Sequence, residues 1–284
     1  MLVRRVVVLM LAGLSLTAQE PIGPAKNGVN SCSLEEEAAL GKQVAAHFRQ
    51  RTKPIDSPNV QNYLERLGKR IAAQMPHARL PFTFSVIADD PCITTHEPAA
   101  LLGGYVFVPA ALFAAAQDEA EFAGMLAHAM GHIAQRHGTG QATRGTIINY
   151  GCIPLIFMGG WTGRSVGHSA PLGLVAIERS AELEADLLAV QTMARAGFDP
   201  KALVRYVERV QVRPPGTTSK AYSPLPDRDQ RISALLAAIE ELPTVDYAAA
   251  ASSEFAAAQQ EVGRLTEPLA RNKTPPSLMR KTPD

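Results

Sequence analysis

Two pairs of side chains with metal-ligand chemistry stand four residues apart in this sequence. His128 and His132 lie in a stretch whose apolar residues follow a helical period, so both imidazoles leave one helix face, one turn apart. Glu182 and Asp186 repeat that spacing on a later stretch. Two imidazole nitrogens and a carboxylate oxygen suit one zinc ion, and a further carboxylate commonly orients a ligating histidine. Packed histidines and a solvated acidic helix face are the alternatives for either pair alone, and the two pairs together favour zinc.

Helices must position both pairs. The histidine helix is predicted to begin at a capping box, Asp118-Glu119-Ala120-Glu121, and to run through His137. The carboxylate helix is predicted over about residues 176–196, because Gly197 and Pro200 follow it as they do at helix C-termini. Further helices are predicted over about residues 33–51, 57–71, 201–210 and 227–242.

Two short segments carry strand signals. The segment 82–86 alternates Phe82, Phe84 and Val86 with polar residues, which predicts a half-buried strand. The segment 103–108 is predicted as a second strand, whose two glycines permit a close backbone approach. Many helices with two or three short strands indicate an α+β fold that is mostly helical, with a small sheet.

The composition excludes several classes of protein. The chain has 284 residues, 46% hydrophobic and 19% charged, enough to bury a core in one large or two small domains. A net charge of +1 argues against nucleic-acid binding, because no basic excess is available to displace counterions. No apolar run approaches about 18 residues, which excludes a multispan membrane protein. Three cysteines, Cys32, Cys92 and Cys152, are too few for a disulfide scaffold, although one disulfide with a spare thiol remains open.

The N-terminal residues predict export. Two arginines precede the apolar stretch 6–16, and small and polar residues follow it, as in a secretory signal covering residues 1–18. An uncut segment would instead anchor the chain in a membrane. A polar, proline-containing linker is predicted over residues 19–32. We therefore expect a periplasmic or otherwise extracytoplasmic protein, with membrane association as the alternative.

An ordered series of short motifs resembles a known family. The family is that of the zinc metallopeptidases typified by the HtpX heat-shock protease, the CAAX prenyl protease and the periplasmic BepA-type proteases. The resemblance spans about residues 33 to 240. Its motifs are the segments 36–41, 82–84, 103–108, 119–121, 126–128, 136–137, 182–186, 196–200 and 231–232.

The resemblance implies a gluzincin-like metallopeptidase domain over residues 33–240. It also implies one zinc ion bound by His128, His132 and Glu182, with Asp186 behind a ligand. The resemblance further implies that the edge of a strand binds an extended polypeptide, which is either a substrate or a client. The residues of that edge are Gly103, Gly104, Tyr105 and Val106. His137 lies nine residues from His128 and on the opposite face of the same predicted helix, and is interpreted as structural.

Three departures from the family pattern affect activity. The family motif H-E-x-x-H reads His128-Ala129-Met130-Gly131-His132, so Ala129 stands where the general base is expected. Leu225 replaces a histidine that lies close to the zinc in the family. The usual Asn-Ala and Pro before the double glycine are Glu97-Pro98 and Leu102. We therefore predict impaired catalysis. The alternatives are an active peptidase with a substitute base such as Glu97, and a metal-free scaffold that binds clients through strand 103–108.

The remaining segments carry weaker predictions. The apolar but glycine- and proline-broken stretch 147–161 is predicted as a packed hairpin or an interfacial loop, with peripheral membrane contact as the minority alternative. An Ala-rich helical extension is predicted over residues 241–266, followed by a disordered Pro/Lys tail over 267–284.

Overall fold

The computed structural model describes residues 32–89, 97–143, 172–211, 226–247 and 252–271. Within those ranges it is mostly helical with one three-stranded sheet, which confirms the predicted α+β class. The predicted signal segment, Cys92, Cys152, the stretch 147–161 and Leu225 lie outside the described residues. Among the described residues, we find no helix with the length and apolar character that a membrane crossing requires.

The described helices and strands follow a simple order along the chain. The strands are β1 (Thr83–Ile87), β2 (Ala99–Leu101) and β3 (Tyr105–Pro109). The helices are α1 (Leu34–Arg51), α2 (Pro58–Ala72), α3 (Ala110–Ala115), α4 (Glu119–Ala134), α5 (His137–Thr143), α6 (Leu172–Arg195), α7 (Lys201–Val210), α8 (Arg228–Glu240) and α9 (Ser253–Arg271).

Helices α1 and α4 begin at side-chain caps in the positions that the sequence predicts. Ser33 Oγ accepts from the amide of Glu36, and the Glu36 carboxylate accepts from the amide of Ser33, which completes a capping box on α1. Asp118 caps α4 by accepting from the amide of Glu121 at 2.8 Å. The predicted box on α4 is incomplete, because the Glu121 carboxylate accepts from the amide of Gln117 instead of that of Asp118.

The strand order is β1-β3-β2, with β3 parallel to β1 and antiparallel to β2. Tyr105 therefore pairs with Thr83 on one side and with Leu101 on the other. The prediction that segment 103–108 forms an edge strand is wrong for the described residues, because β3 is the central strand. The family resemblance implied the edge position, and nothing within the segment itself indicates which strands flank it. In this fold β1 and β2 flank β3.

A tight turn joins β2 to β3 and supports the first helix. Gly103 and Gly104 have φ values of 77° and 92°, a region that favours glycine. A Cβ on Gly104 would lie 2.0 Å from the carbonyl oxygen of Pro81. A Cβ on Gly41 of α1 would lie 2.1 Å from the carbonyl oxygen of Leu102. The glycines thus permit the close backbone approach that the sequence predicts, and they bring α1 onto the turn.

Helix α4 lies at the centre of the hydrophobic core and packs against α2, α6 and α7. Helix α9 also joins this core, since Phe255, Ala258 and Val262 are buried in it and the Phe255 ring packs against Tyr63 and Phe122. The helix extends to Arg271, so the predicted start of a disordered tail at residue 267 is wrong for residues 267–271.

Candidate metal centre

Two helices that pack against each other carry the candidate ligands. Helix α4 is buried on almost every side, so even its polar residue His128 is enclosed, with 2% of its surface exposed. Helix α6 contributes Glu182 and Asp186, which are buried as well. Because residues four apart share a helix face, each helix presents its pair to the other across the contact.

Three ligand atoms converge at this contact. His128 Nε2 lies 3.2 Å from His132 Nε2 and 3.4 Å from Glu182 Oε2, and His132 Nε2 lies 3.6 Å from Glu182 Oε1. Ligands about 2.0–2.1 Å from a tetrahedral zinc ion are separated by about 3.3 Å. His128, His132 and Glu182 therefore form a group that could hold a metal ion, as the sequence pairs predict.

The hydrogen-bonding state of Glu182 fits a cation at this place. Its Oε2 is buried and makes no well-formed hydrogen bond within the described part of the chain. A buried acceptor without a donor is unfavourable, and a cation between the three ligand atoms would satisfy it. Burial raises the pKa of Glu182, but His132 and His128 outweigh that effect and lower it to about 2. The carboxylate is therefore ionised, as a metal ligand must be.

Asp186 orients His128 from the side opposite the ligand atoms. Asp186 Oδ1 lies 2.8 Å from His128 Nδ1, and the buried guanidinium of Arg231 donates to both Asp186 oxygens at 2.6 and 2.8 Å. Burial alone would lower the pKa of His128, but Asp186 and Glu182 raise it to about 10. Despite burial, Arg231 and His128 hold the pKa of Asp186 well below its usual range. Once a metal displaces the Nε2 proton, the proton that remains on Nδ1 is directed at Asp186, and Nε2 is the ligand atom.

A second set of side chains contacts His132 on its Nδ1 side. Its Nδ1 lies 3.1 Å from Nδ1 of His137, whose Nε2 lies 3.4 Å from Glu184 Oε2. Burial, together with His128 and His137 and against the effect of Glu182, lowers the pKa of His132 to about 3. A neutral imidazole is the form that binds a metal.

The structure corrects the interpretation that His137 lies on the opposite face of the histidine helix. Helix α4 ends at Ala134, and Arg136 has a φ of 55°, so the chain turns before His137 begins α5. Helical spacing fails across such a turn. The adjacent pair Arg136-His137 was visible in the sequence, but nothing in its spacing indicated a contact with His132.

The remaining predicted site residues are placed as follows. Ala129 is buried on α4 beside His128 and offers no titratable group. Glu97, the candidate substitute base, is buried with its carboxylate 3.9 Å from the guanidinium of Arg231. Gly103 and Gly104 lie in the turn that packs against α1 and α4, and substrate binding by the segment 103–106 stays a prediction. Neither Arg231 nor Glu184 is a candidate site residue from the sequence alone. The fold brings Arg231 to Asp186 and Glu184 to His137.

Comparison with known proteins agrees with this geometry. The model of "Peptidase family M48" matches residues 58–239, which include both histidines, Glu182 and Asp186. The chain belongs to peptidase family M48. M48 proteins are zinc metallopeptidases, and the region that matches the family contains all three residues of the candidate metal centre.

Two curated proteins to which this chain is similar carry the same name. The beta-barrel assembly-enhancing protease of Yersinia pestis is 29% identical over 191 residues, which cover 63% of this chain and 38% of the relative. The protein of that name from Escherichia coli strain K12 is 27% identical over 194 residues, covering 64% of this chain and 39% of the relative. The chain thus spans about two fifths of the length of the M48 relatives that it matches.

Proposed function

We propose that this chain is a zinc-binding M48 protein of the cell envelope whose peptide-bond hydrolysis is impaired by Ala129. One observation carries the proposal. The three candidate ligands His128, His132 and Glu182 lie together, which we call the ligand triangle, while an alanine stands at the general-base position of the H-E-x-x-H motif. The distances among His128, His132 and Glu182 support zinc, since they match those of ligands around one tetrahedral ion.

The missing carboxylate limits the chemistry that the site can perform. A zinc ion, when bound, would polarise a peptide carbonyl and make a water molecule more acidic. The protein must still accept a proton from the attacking water and deliver it to the leaving amine, a task that a methyl group cannot perform. Loss of a positioned general base typically reduces the rate by about 10²–10⁴-fold. His128, His132 and Glu182 would therefore bind the metal without efficient turnover.

The molecule that we propose to bind at this site is an extended polypeptide. The names of the relatives refer to the assembly of β-barrels, which supports a role with envelope proteins as substrates or clients. The predicted signal over residues 1–18 supports an extracytoplasmic location. Because β3 is paired on both sides, a polypeptide would add at an outer strand, and β2 is the outer strand that packs against α4.

Restoring the carboxylate tests the proposal. Ala129→Glu is expected to raise zinc-dependent cleavage of an unfolded protein substrate by about 10²-fold or more over the wild-type chain. Ala129→Gln is the matched control, because it has the same size and no base, and its activity should stay at the wild-type level. Zinc-dependent wild-type cleavage that is readily measured and equals that of Ala129→Glu would show that catalysis is not impaired.

The second candidate is an active peptidase that uses Glu97 as its base. The observation behind this candidate is that Glu97 is a buried carboxylate beside Arg231, which also holds Asp186. Glu97→Gln would abolish wild-type cleavage if Glu97 were the base. A metal-free scaffold predicts instead that the wild-type protein contains no zinc after purification without chelators. It also predicts that His128→Ala leaves the melting temperature unchanged.

A further inference from the structure

We infer that His137 and Glu184 are positioning residues for the metal ligand His132. They hold its ring from behind, as Asp186 and Arg231 hold the ring of His128. The inference rests on the zinc site of the proposed function and adds two residues to it. It explains why the ring of His137 contacts the ring of His132 on the side away from the other two candidate ligands.

The proton positions follow from the geometry once His132 is a ligand. A neutral imidazole has one bare nitrogen, so a metal bound at Nε2 of His132 leaves the ring proton on Nδ1. That proton lies on the nitrogen 3.1 Å from His137 Nδ1, which must then be the bare acceptor. The proton of His137 is consequently on Nε2, directed at the Glu184 carboxylate 3.4 Å away. Every ring nitrogen in this chain of contacts then has a compatible partner.

The reverse arrangement of protons is less favourable. If Nε2 of His132 carried the proton, His132 Nδ1 would be bare and would accept from His137 Nδ1. The bare Nε2 of a neutral His137 would then face the carboxylate of Glu184, so that two acceptors would meet. Glu184 thus selects the arrangement in which His132 presents a free Nε2 to the metal.

The two histidine ligands are held in parallel ways. Behind His128 stands Asp186, and behind His132 stands His137 followed by Glu184, and both carboxylates belong to α6. Because Glu182 also belongs to α6, this helix supplies one candidate ligand and the outer partner of both others. A hydrogen bond to the rear nitrogen fixes the ring orientation and makes the front nitrogen a better ligand.

The place of His137 is itself fixed by an ion pair between Arg136, which is partly exposed, and the buried Glu37. Arg136 adopts a φ of 55° and donates through Nε to Glu37 Oε2 at 2.6 Å, and through Nη2 to the backbone carbonyl of Cys32. The Thr139 hydroxyl donates to the same Glu37 oxygen. Glu37 is fully buried on α1. Helix α1 therefore stabilises the turn that presents His137 to His132.

Filling of space is the alternative role for His137, whose ring is mostly buried. Two substitutions separate the roles. His137→Phe keeps a ring of similar size but removes the acceptor for His132. His137→Asn loses volume, yet its side-chain carbonyl can occupy the position of Nδ1 and accept the same hydrogen bond. A packing role predicts that phenylalanine is the better replacement, and a positioning role predicts asparagine.

The experiment measures zinc affinity of the full chain by competition with a chromogenic chelator, with the melting temperature of the apo-protein recorded in parallel. His137→Phe and Glu184→Gln are expected to weaken zinc binding by about 10–100-fold, and His137→Asn by less than either. The matched control is Glu240→Gln on the exposed surface of α8, which should bind zinc like the wild type. Cobalt substitution gives an independent signature, since a displaced His132 ring alters the visible absorption of bound Co²⁺.

Each outcome decides the inference. Wild-type zinc affinity in both His137→Phe and Glu184→Gln would overturn it and leave the proposed function standing. Weaker binding by asparagine than by phenylalanine would assign His137 to packing. A wild-type chain that binds no zinc would overturn the proposed zinc site, and the positioning role with it.

Discussion

At the scale of residues, the candidate metal centre depends on charges that are buried but paired. Arg231 and Asp186 are almost fully enclosed, and their two hydrogen bonds lie directly behind His128. Desolvation makes such charges costly, and removing one partner leaves the other uncompensated. The same pair therefore supports the fold and holds the ring of a candidate ligand.

Asp186→Asn is expected to reduce both zinc affinity and stability. The amide leaves Arg231 without a balancing charge, and losing one partner of a buried pair costs about 3–5 kcal/mol. Zinc binding should weaken by about 10–100-fold. Chemical denaturation and chelator competition measure the two effects. Asp229→Asn on the exposed surface of α8 is the control, and equal behaviour of the two variants would contradict this account.

Zinc affinity is expected to rise with pH in the neutral range. Without metal, the pKa of His128 is about 10, whereas His132 and Glu182 have pKa values of about 3 and about 2. At neutral pH, His128 is therefore the ligand from which zinc must displace a proton. Displacement of one proton increases the apparent affinity by about tenfold per pH unit below pH 10. Calorimetry in buffers of different ionisation enthalpy measures that proton, and an affinity independent of pH between 6.5 and 8.5 would refute the assignment.

At the scale of elements, the contact between α1 and the turn before β3 requires glycine. The Cβ of an alanine at position 41 would lie 2.1 Å from the Leu102 carbonyl oxygen, so backbone must move to accept it. Because Glu37 on the same helix holds Arg136, a displaced α1 would also disturb the turn before His137. The sheet and the metal centre are thus linked through α1.

Gly41→Ala is expected to destabilise the fold by about 1–3 kcal/mol, the usual cost of overpacking. The control is Gly263→Ala on α9, where an added Cβ meets no atom within 4 Å. That substitution should stabilise the protein by about 0.5–1 kcal/mol, because alanine loses less backbone entropy in a helix. Urea denaturation measures both, and equal stabilities of the two variants would contradict the packing described here.

At the scale of the whole molecule, the core extends beyond the region that matches the family. That match ends at residue 239, whereas the helix over Ser253–Arg271 packs against α2 and α3. Its Phe255 ring lies 5.4 Å from the Phe122 ring on the histidine helix. Residues beyond the family match therefore help to enclose the helix that carries the candidate ligands.

Phe255→Ala is expected to reduce the free energy of unfolding by about 3–5 kcal/mol, because a buried aromatic ring is replaced by a cavity. Leu236→Ala, at a side chain that is 42% exposed, should change it by no more than about 0.5 kcal/mol. Thermal and chemical denaturation measure both variants. A Phe255→Ala protein as stable as the wild type would show that α9 is an appendage rather than part of the core.

The sequence by itself determined what depends on local periodicity and on residue type. Helical spacing placed His128 with His132 and Glu182 with Asp186, and the capping side chains at Ser33 and Asp118 marked where helices begin. These properties are readable because each depends on neighbours within one turn of the chain.

Only the tertiary structure decided which side chains meet across large distances in the chain. Three features could not be predicted from the sequence: the central position of β3, the ion pair of Arg231 with Asp186, and the contact of His137 with His132. The residues of a strand do not indicate which strands will flank it. The left-handed backbone of Arg136 ends the helical spacing on which the predicted face of His137 depended. The candidate ligands could be found because they repeat within helices, whereas the residues that contact them from behind are brought to the site by packing.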